Sequence, residues 1–92
     1  MKTYNETTAQ SVLTELKDWT FLNDGIEKKF VFKNFSQALA FIVQVGLLAE
    51  TKKHHPELFN VYNKVNIRLS THDANGVTDK DFDLAKAIEK IF

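Results

Sequence analysis

The fold is decided by one stretch of the chain, FSQALAFIVQVGLLAETKKHHP (residues 35–56). Its apolar residues recur around nearly the whole circumference of a helix. This pattern predicts one long helix from Phe35 to Lys53, with Asn34 or Ser36 as its N-cap. The helix ends at the chain's single proline, which cannot continue a helical hydrogen-bond pattern.

This long helix is apolar on two opposite faces. One face can pack on a sheet, but a chain of 92 residues has little material with which to bury the other. The second face therefore predicts contact with another subunit. A core helix that is fully covered by its own domain is the alternative.

The segments on either side of residues 35–56 predict two further helices and two hairpins. Helical spacing of apolar residues marks the helices, and alternating apolar residues between turn residues mark the strands. The predicted elements are a helix from Thr7 to Lys17 or Asp18, strands at Trp19–Phe21 and Ile26–Lys33 around Asn23-Asp24-Gly25, strands at Phe59–Tyr62 and Val65–Thr71 around Asn63-Lys64, and a last helix capped by Thr78 and Asp81.

The predicted order of elements is therefore α-β-β-α-β-β-α. Two hairpins and three helices favour the α+β class, with a four-stranded antiparallel sheet and three helices on one face of it. No linker, repeat or change in composition divides the chain, so residues 1–92 are predicted to form a single domain.

Composition narrows the classes of function. Twelve basic and twelve acidic side chains give no net charge, so no basic face for direct nucleic-acid binding is predicted. The absence of cysteine removes disulfides and thiolate zinc sites. The N-terminus shows no apolar signal-peptide core, and the apolar run Ala38–Ala49 is too short for a membrane span. We expect a cytoplasmic protein with no membrane partner.

The strongest chemical signal is the pair His54 and His55 at the helix end. The negative end of the helix macrodipole and Glu50, one turn earlier, both favour the protonated form of His54, as a general acid requires. Pro56 favours an extended backbone at His55 and turns that side chain towards a pocket wall. His72 ends the last predicted strand, and we expect the three imidazoles to meet in one pocket.

Other interpretations of these residues stay open at this point. His54 could be a helix C-cap cation, while His55 and His72 could simply face water. Three histidines and a carboxylate could also hold zinc, although adjacent histidines point apart and no H-x-x-x-H spacing exists. We predict neither a metal nor a cofactor. Capping explains Asp81 without any chemistry, and Trp19 suits a core or a pocket wall.

The longer pattern resembles a known family signature. It reads Glu50-x-x-x-His54-His55-Pro56, then Tyr62, His72 and Asp81 at fixed spacing, and it is similar to that of the pterin-4a-carbinolamine dehydratases. The runs Phe59-Asn60-Val61-Tyr62-Asn63-Lys64-Val65 and Leu69-Ser70-Thr71-His72 resemble the animal members. Phe30-x-Phe32-Lys33-x-Phe35 and Trp19 extend the resemblance upstream, so that it covers roughly Trp19 to Ile88.

The resemblance implies a lyase that dehydrates 4a-hydroxytetrahydrobiopterin to quinonoid dihydrobiopterin, in the recycling of tetrahydrobiopterin. It also implies a pterin substrate, no metal, and a homodimer or homotetramer that forms through the helix 35–53 and a sheet edge. Two alternatives remain within the resemblance. The chain could be a non-catalytic dimerisation cofactor of a transcription factor, or it could act on another pterin in folate or molybdopterin metabolism.

The resemblance also implies that His54, His55 and His72 surround the pterin. Our hypothesis for their individual roles has His54 as the acid near the 4a-hydroxyl, His72 as the base and His55 positioning the ring. Glu50 would orient or charge His54, and Asp81 would orient His72 or the pterin. The other residues expected to bind or orient the substrate are Pro56, Trp19, Ser70 and Thr71.

Overall fold

The computed structural model describes residues 2–92, which form a layer of helices packed on one β-sheet. Its elements are α1 (Glu6–Leu13), β1 (Thr20–Leu22), β2 (Gly25–Val31), α2 (Phe35–Lys52), β3 (Glu57–Val61), β4 (Lys64–Leu69), a 3₁₀ turn (His72–Ala74) and α3 (Asp79–Ile91). The strands pair antiparallel in the order β1-β2-β4-β3. The predicted α+β class and order of elements are confirmed.

The two faces of the sheet differ in burial. On the two central strands, one face is buried against the helices and carries Ile26, Lys28, Phe30, Val65, Ile67 and Leu69. The residues between them in sequence point to the other face and are exposed or half-buried. The helices therefore cover one face, and the core lies between that face and α2 and α3.

The first helix starts and ends earlier than the sequence predicts. Asn5, rather than Thr7, is the N-cap: Asn5 Oδ1 accepts from the Thr8 amide at 2.8 Å, and the Asn5 amide donates to Thr8 Oγ1 at 2.9 Å. The helix ends at Leu13 because the amides of Glu15 and Leu16 bond to carbonyls only three residues back, which tightens the chain into turns.

The first hairpin has the predicted turn. Asn23 and Asp24 take positive φ values of 49° and 59°, as a two-residue turn between twisted strands requires. Arg68 holds this turn by donating to the carbonyls of Leu22 at 2.7 Å and Asn23 at 2.6 Å. Gly25 leaves room for that arrangement, because a Cβ there would run into the Arg68 guanidinium.

The second hairpin turns one residue earlier than predicted. Val61 pairs with Lys64, so the turn residues are Tyr62, with φ of 51°, and Asn63. A contact distant in sequence selects this register. The Asn63 side chain donates to the Phe32 carbonyl and the Phe32 amide donates to the Asn63 carbonyl, both at 2.8 Å.

The long helix α2 ends in a Schellman motif. Lys53 takes the left-handed conformation with φ of 54°, its amide donates to the Glu50 carbonyl at 3.2 Å, and the His54 amide donates to the Ala49 carbonyl at 3.1 Å. The helix begins at the predicted N-cap Asn34, whose side chain accepts from an amide in the first turn. The Schellman motif turns the chain sharply at His54.

The last helix has the predicted start. Thr78 is the N-cap of α3 and forms a capping box with Asp81. This places Asp81 in the buried first turn of α3 rather than on the surface. Within residues 2–92, none of the helices has the length and apolar character needed to cross a membrane.

Candidate active site

A cavity of about 390 Å³ opens where the end of α2, the start of β3, the end of β4 and the start of α3 meet. Three chain segments form its wall, and they carry His54, His55 and Pro56, then Ser70, Thr71 and His72, then Lys80. The structure thus brings the three histidines of the chain to one cavity. Residues far apart in sequence reach this cavity because β4 and α2 end at the same edge of the domain.

His54 is held by a buried carboxylate on α3. Its Nε2 lies 2.5 Å from Oδ1 of Asp81, and the two side chains are 11% and 0% exposed. Because an ionised carboxylate only accepts hydrogen bonds, Nε2 is the donor of this pair. The carboxylate therefore holds the His54 ring in one orientation, with a proton on Nε2.

Two of the predicted pairings are wrong. Glu50 does not pair with His54, and Asp81 pairs with His54 rather than with His72. The Schellman turn carries His54 away from the α2 face that holds Glu50 and directs it at α3. Glu50 Oε1 instead lies 2.8 Å from Nε2 of His55, in a surface pair whose side chains are 79% and 69% exposed.

The second oxygen of Asp81 is bonded inside the protein. Oδ2 accepts from Thr71 Oγ1 at 2.9 Å and from the Thr78 amide at 2.9 Å. Thr71 Oγ1 and Thr78 Oγ1 lie 2.8 Å apart. With the donor on His54, the carboxylate has three partners, and the positive end of the α3 macrodipole also favours its negative charge.

The second nitrogen of the His54 ring, Nδ1, has no hydrogen-bond partner among residues 2–92. Among residues 2–92, every buried side-chain nitrogen or oxygen has a hydrogen-bond partner, so the unpartnered Nδ1 of His54 has to be accessible to solvent. His54 lines the cavity. Nδ1 can therefore accept a proton from a bound molecule when the ring is neutral, and donate one when the ring is charged.

The remaining predicted site residues fall into two groups. Pro56, Ser70 and Thr71 line the cavity, but the Ser70 hydroxyl donates to the Asp24 carbonyl at 2.8 Å and the Thr71 hydroxyl serves Asp81. These hydrogen bonds fix the positions of Ser70 and Thr71 in the cavity wall. Trp19 is not part of this cavity wall: it is 4% exposed in the core.

Trp19 belongs to a partly buried polar cluster instead. Its Nε1 donates to Glu89 Oε2 at 2.8 Å, and the same oxygen pairs with Lys28 Nζ at 2.8 Å. This cluster explains how Lys28 is tolerated at 8% side-chain exposure on the buried face of the sheet. Of the two positions that the sequence suggested for Trp19, a core or a pocket wall, the structure shows the core.

Four residues with charged side chains also line the cavity without having been predicted. They are Lys53, Glu57, Asp73 and Lys80. Single charged side chains usually lie on a solvated surface, and only the meeting of three chain segments places these four at one cavity. Among residues 2–92, no three His, Asp or Glu side chains form a group that could hold a metal ion.

The comparisons with known proteins all indicate the same family. The family model described as Pterin 4 alpha carbinolamine dehydratase matches residues 2–91. A relative from Rhizobium johnstonii is 50% identical over 93 residues, which covers 98% of this chain and 91% of the relative. A relative from Christiangramia forsetii is 43% identical, covering 99% and 94%. Both relatives carry the name of a pterin-4-alpha-carbinolamine dehydratase.

A solved structure has the same fold over nearly the whole chain. It is the crystal structure of a transcriptional coactivator/pterin dehydratase from Brucella melitensis, with a TM-score of 0.92 and 38% sequence identity. The match covers 98% of each chain. The cavity described above therefore lies within a fold that is shared along its whole length.

Proposed function

The chain belongs to the pterin-4a-carbinolamine dehydratase family and is a hydro-lyase of that family, and we propose that His54 and His72 carry out the dehydration in the cavity that they share with His55, which positions the ring. The substrate is 4a-hydroxytetrahydrobiopterin, and the products are quinonoid dihydrobiopterin and water. One observation carries this proposal: three imidazoles line one cavity, and one of them is held by a buried carboxylate.

The reaction needs one proton donor and one proton acceptor. The C4a–O bond breaks, and the hydroxyl takes a proton from Nδ1–H of the His54 imidazolium and leaves as water. The lone pair of N5 forms the C4a=N5 double bond as the N5 proton passes to His72. The protein therefore gives one proton and takes one, and exchange with water restores both rings. An acid–base pair of this kind typically contributes about 10²–10⁴-fold in rate.

The surroundings of the cavity suit these roles. Asp81 holds Nε2 of His54, which leaves Nδ1 for the substrate, whereas His72 is exposed at the start of the 3₁₀ turn and can exchange protons with solvent. His55 and Pro56 form a wall against which a flat ring can lie. The volume of about 390 Å³ falls within the usual range for small-molecule sites, roughly 300–1,000 Å³.

A direct assay tests the substrate. Synthetic 4a-hydroxytetrahydropterins with a biopterin side chain or a folate-type side chain are mixed with the wild-type chain, and dehydration is followed by stopped-flow absorbance against the spontaneous rate. We expect the biopterin form to have the higher kcat/KM. Preference for the folate-type form would overturn the assigned substrate, and the absence of acceleration with both would overturn the assigned site.

We further propose that the chain forms a homodimer or homotetramer. The outer face of α2 carries a stripe of apolar residues that are 46–67% exposed: Phe35, Leu39, Val43 and Leu47. A spacing of four residues places them in one row along the helix. The edge strand β3 adds exposed Phe59 and Val61 and unpaired backbone groups along one side. Both features favour self-association over exposure to water.

The substitution Val43→Glu tests association through α2. A carboxylate in the middle of the apolar stripe would have to be desolvated at the interface, so we expect dissociation to smaller species in sedimentation velocity. Lys86→Glu, which also introduces a carboxylate at an exposed helical position but on α3, is the control and should leave the mass unchanged. A wild-type monomer, or an unaltered oligomer in Val43→Glu, would contradict the proposal.

A further inference from the structure

The N-cap of α3 is connected to the ring of His54 through buried side chains. Thr78, Thr71 and Asp81 are all between 0% and 4% exposed and are hydrogen-bonded to one another. We propose that Thr78 is a positioning residue for the dehydration: its hydroxyl, acting through Thr71 and Asp81, sets which nitrogen of His54 faces the substrate. This inference rests on the proposed role of His54 as the acid.

The directions of the hydrogen bonds follow from the inventory of donors. Asp81 Oδ2 cannot donate, so the proton of the Thr71 hydroxyl points at it over 2.9 Å. Thr71 Oγ1 is then only an acceptor towards its other neighbour, so the Thr78 hydroxyl, 2.8 Å away, has to donate to it. The donors therefore run in one direction, from Thr78 to Thr71 to Asp81.

Thr78, the first residue in this series of hydrogen bonds, also has defined partners. Thr78 Oγ1 accepts from the Lys80 amide at 3.3 Å, as an N-cap does, and its own proton is free for Thr71. The Thr78 amide gives Asp81 Oδ2 a second donor at 2.9 Å. Thr78 thus caps α3 with its hydroxyl oxygen and its amide, while its hydroxyl proton is donated towards the site.

This series of hydrogen bonds fixes the orientation of the Asp81 carboxylate. Oδ2 has two buried donors, so Oδ1 is the oxygen left to face Nε2 of His54 at 2.5 Å. Rotating the carboxylate would leave buried donors without an acceptor, which is unfavourable away from water. Nε2 therefore keeps its proton whether the ring is neutral or charged, and proton exchange with the substrate takes place at Nδ1.

Positioning and helix capping require different atoms of Thr78. Capping requires an oxygen that accepts from the first turn, and any N-cap residue supplies it. Positioning requires a hydroxyl proton directed at Thr71. Thr78→Ser keeps both, Thr78→Val loses both, and Thr71→Val removes the link between Thr78 and Asp81 while leaving the cap of α3 in place. Asn5→Ala removes the N-cap of α1 and is the matched control for loss of a cap.

The test measures the tautomer of His54 by nitrogen-15 NMR of the ring and kcat by stopped-flow dehydration. In the wild type we expect neutral His54 to carry its proton on Nε2. In Thr78→Val and Thr71→Val, we expect the ratio of the two tautomers to shift towards Nδ1–H and kcat to fall, each by about 10-fold, the effect of losing one buried hydrogen bond. Thr78→Ser and Asn5→Ala should behave as the wild type in both measurements.

The outcomes distinguish this inference from the proposed function. A wild-type tautomer ratio in Thr71→Val, the variant that keeps the cap, would overturn the positioning chain even if His54 is catalytic. A shifted ratio with unchanged kcat would show that His54 does not carry the proton, and would overturn both. If Thr78→Val does not fold, Thr71→Val and Thr78→Ser give the same decision.

Discussion

Replacement of His54 by glutamine is expected to lower kcat for dehydration by about 10²–10⁴-fold. The glutamine amide can still donate a hydrogen bond to Asp81 from the position that Nε2 of His54 occupies. It has no group that can protonate a leaving hydroxyl. The loss therefore falls on the chemical step, and KM is expected to change much less than kcat. Stopped-flow kinetics over a range of substrate concentrations separates the two constants.

His55→Gln is the matched control for this substitution. His55 also lines the cavity, but its Nε2 is engaged with Glu50 at the surface. A residue that positions the ring should affect KM more than kcat, and we expect an effect of about 10-fold or less. A His54→Gln enzyme whose kcat stays within about threefold of the wild-type value would contradict the acid role of His54.

Replacement of Asp81 by asparagine is expected to be nearly as damaging, with kcat lower by about 10²–10⁴-fold. The asparagine oxygen can still accept from Thr71 and the Thr78 amide, which leaves the amide NH₂ facing Nε2 of His54. A donor now meets a donor, so the neutral ring is driven to the Nδ1–H tautomer. The charged ring also loses its counter-charge. A substitution that leaves a catalytic imidazole in the wrong tautomer has effects of this size in other enzymes.

Asp79→Asn controls for charge at the start of α3. Asp79 also lies in the first turn of that helix, but it is exposed and accepts from the Tyr4 hydroxyl at 2.5 Å, a bond that raises the pKa of Tyr4. Its removal changes the helix-end charge without touching His54. We expect kcat to stay within about threefold of the wild-type value, since surface charge effects are small. Equal losses in Asp79→Asn and Asp81→Asn would contradict a specific role for Asp81.

Local sequence patterns were sufficient for most of the fold. The α2 and α3 caps, the first hairpin turn and the order of elements all depend on residues within a few positions of one another, and they were predicted. The second turn was misplaced because Asn63 is held by Phe32, which lies 31 residues away in the chain. The early end of α1 likewise depends on tight turns that place Leu16 and Trp19 in the core.

The sequence predicted that the three histidines would meet at one cavity, but it did not predict which carboxylate pairs with which histidine. Spacing along α2 placed Glu50 beside His54, but it could not show that a left-handed Lys53 would turn His54 to face α3. The capping box accounted for Asp81 and concealed its second role, because the cap uses one carboxylate oxygen and the histidine uses the other. The oligomeric state, the cytoplasmic location and the extent of the domain remain predictions.

The proposed joint action of His54 and His72, as acid and base in one step, is central to the dehydration. Its most direct test is the stopped-flow rate of dehydration for the wild type, His54→Gln, His72→Gln and the double variant. Each single change should disable the same step, so we expect the double variant to be within about threefold of the slower single variant. Losses that multiply in the double variant, or a single variant with the wild-type rate, would contradict the claim.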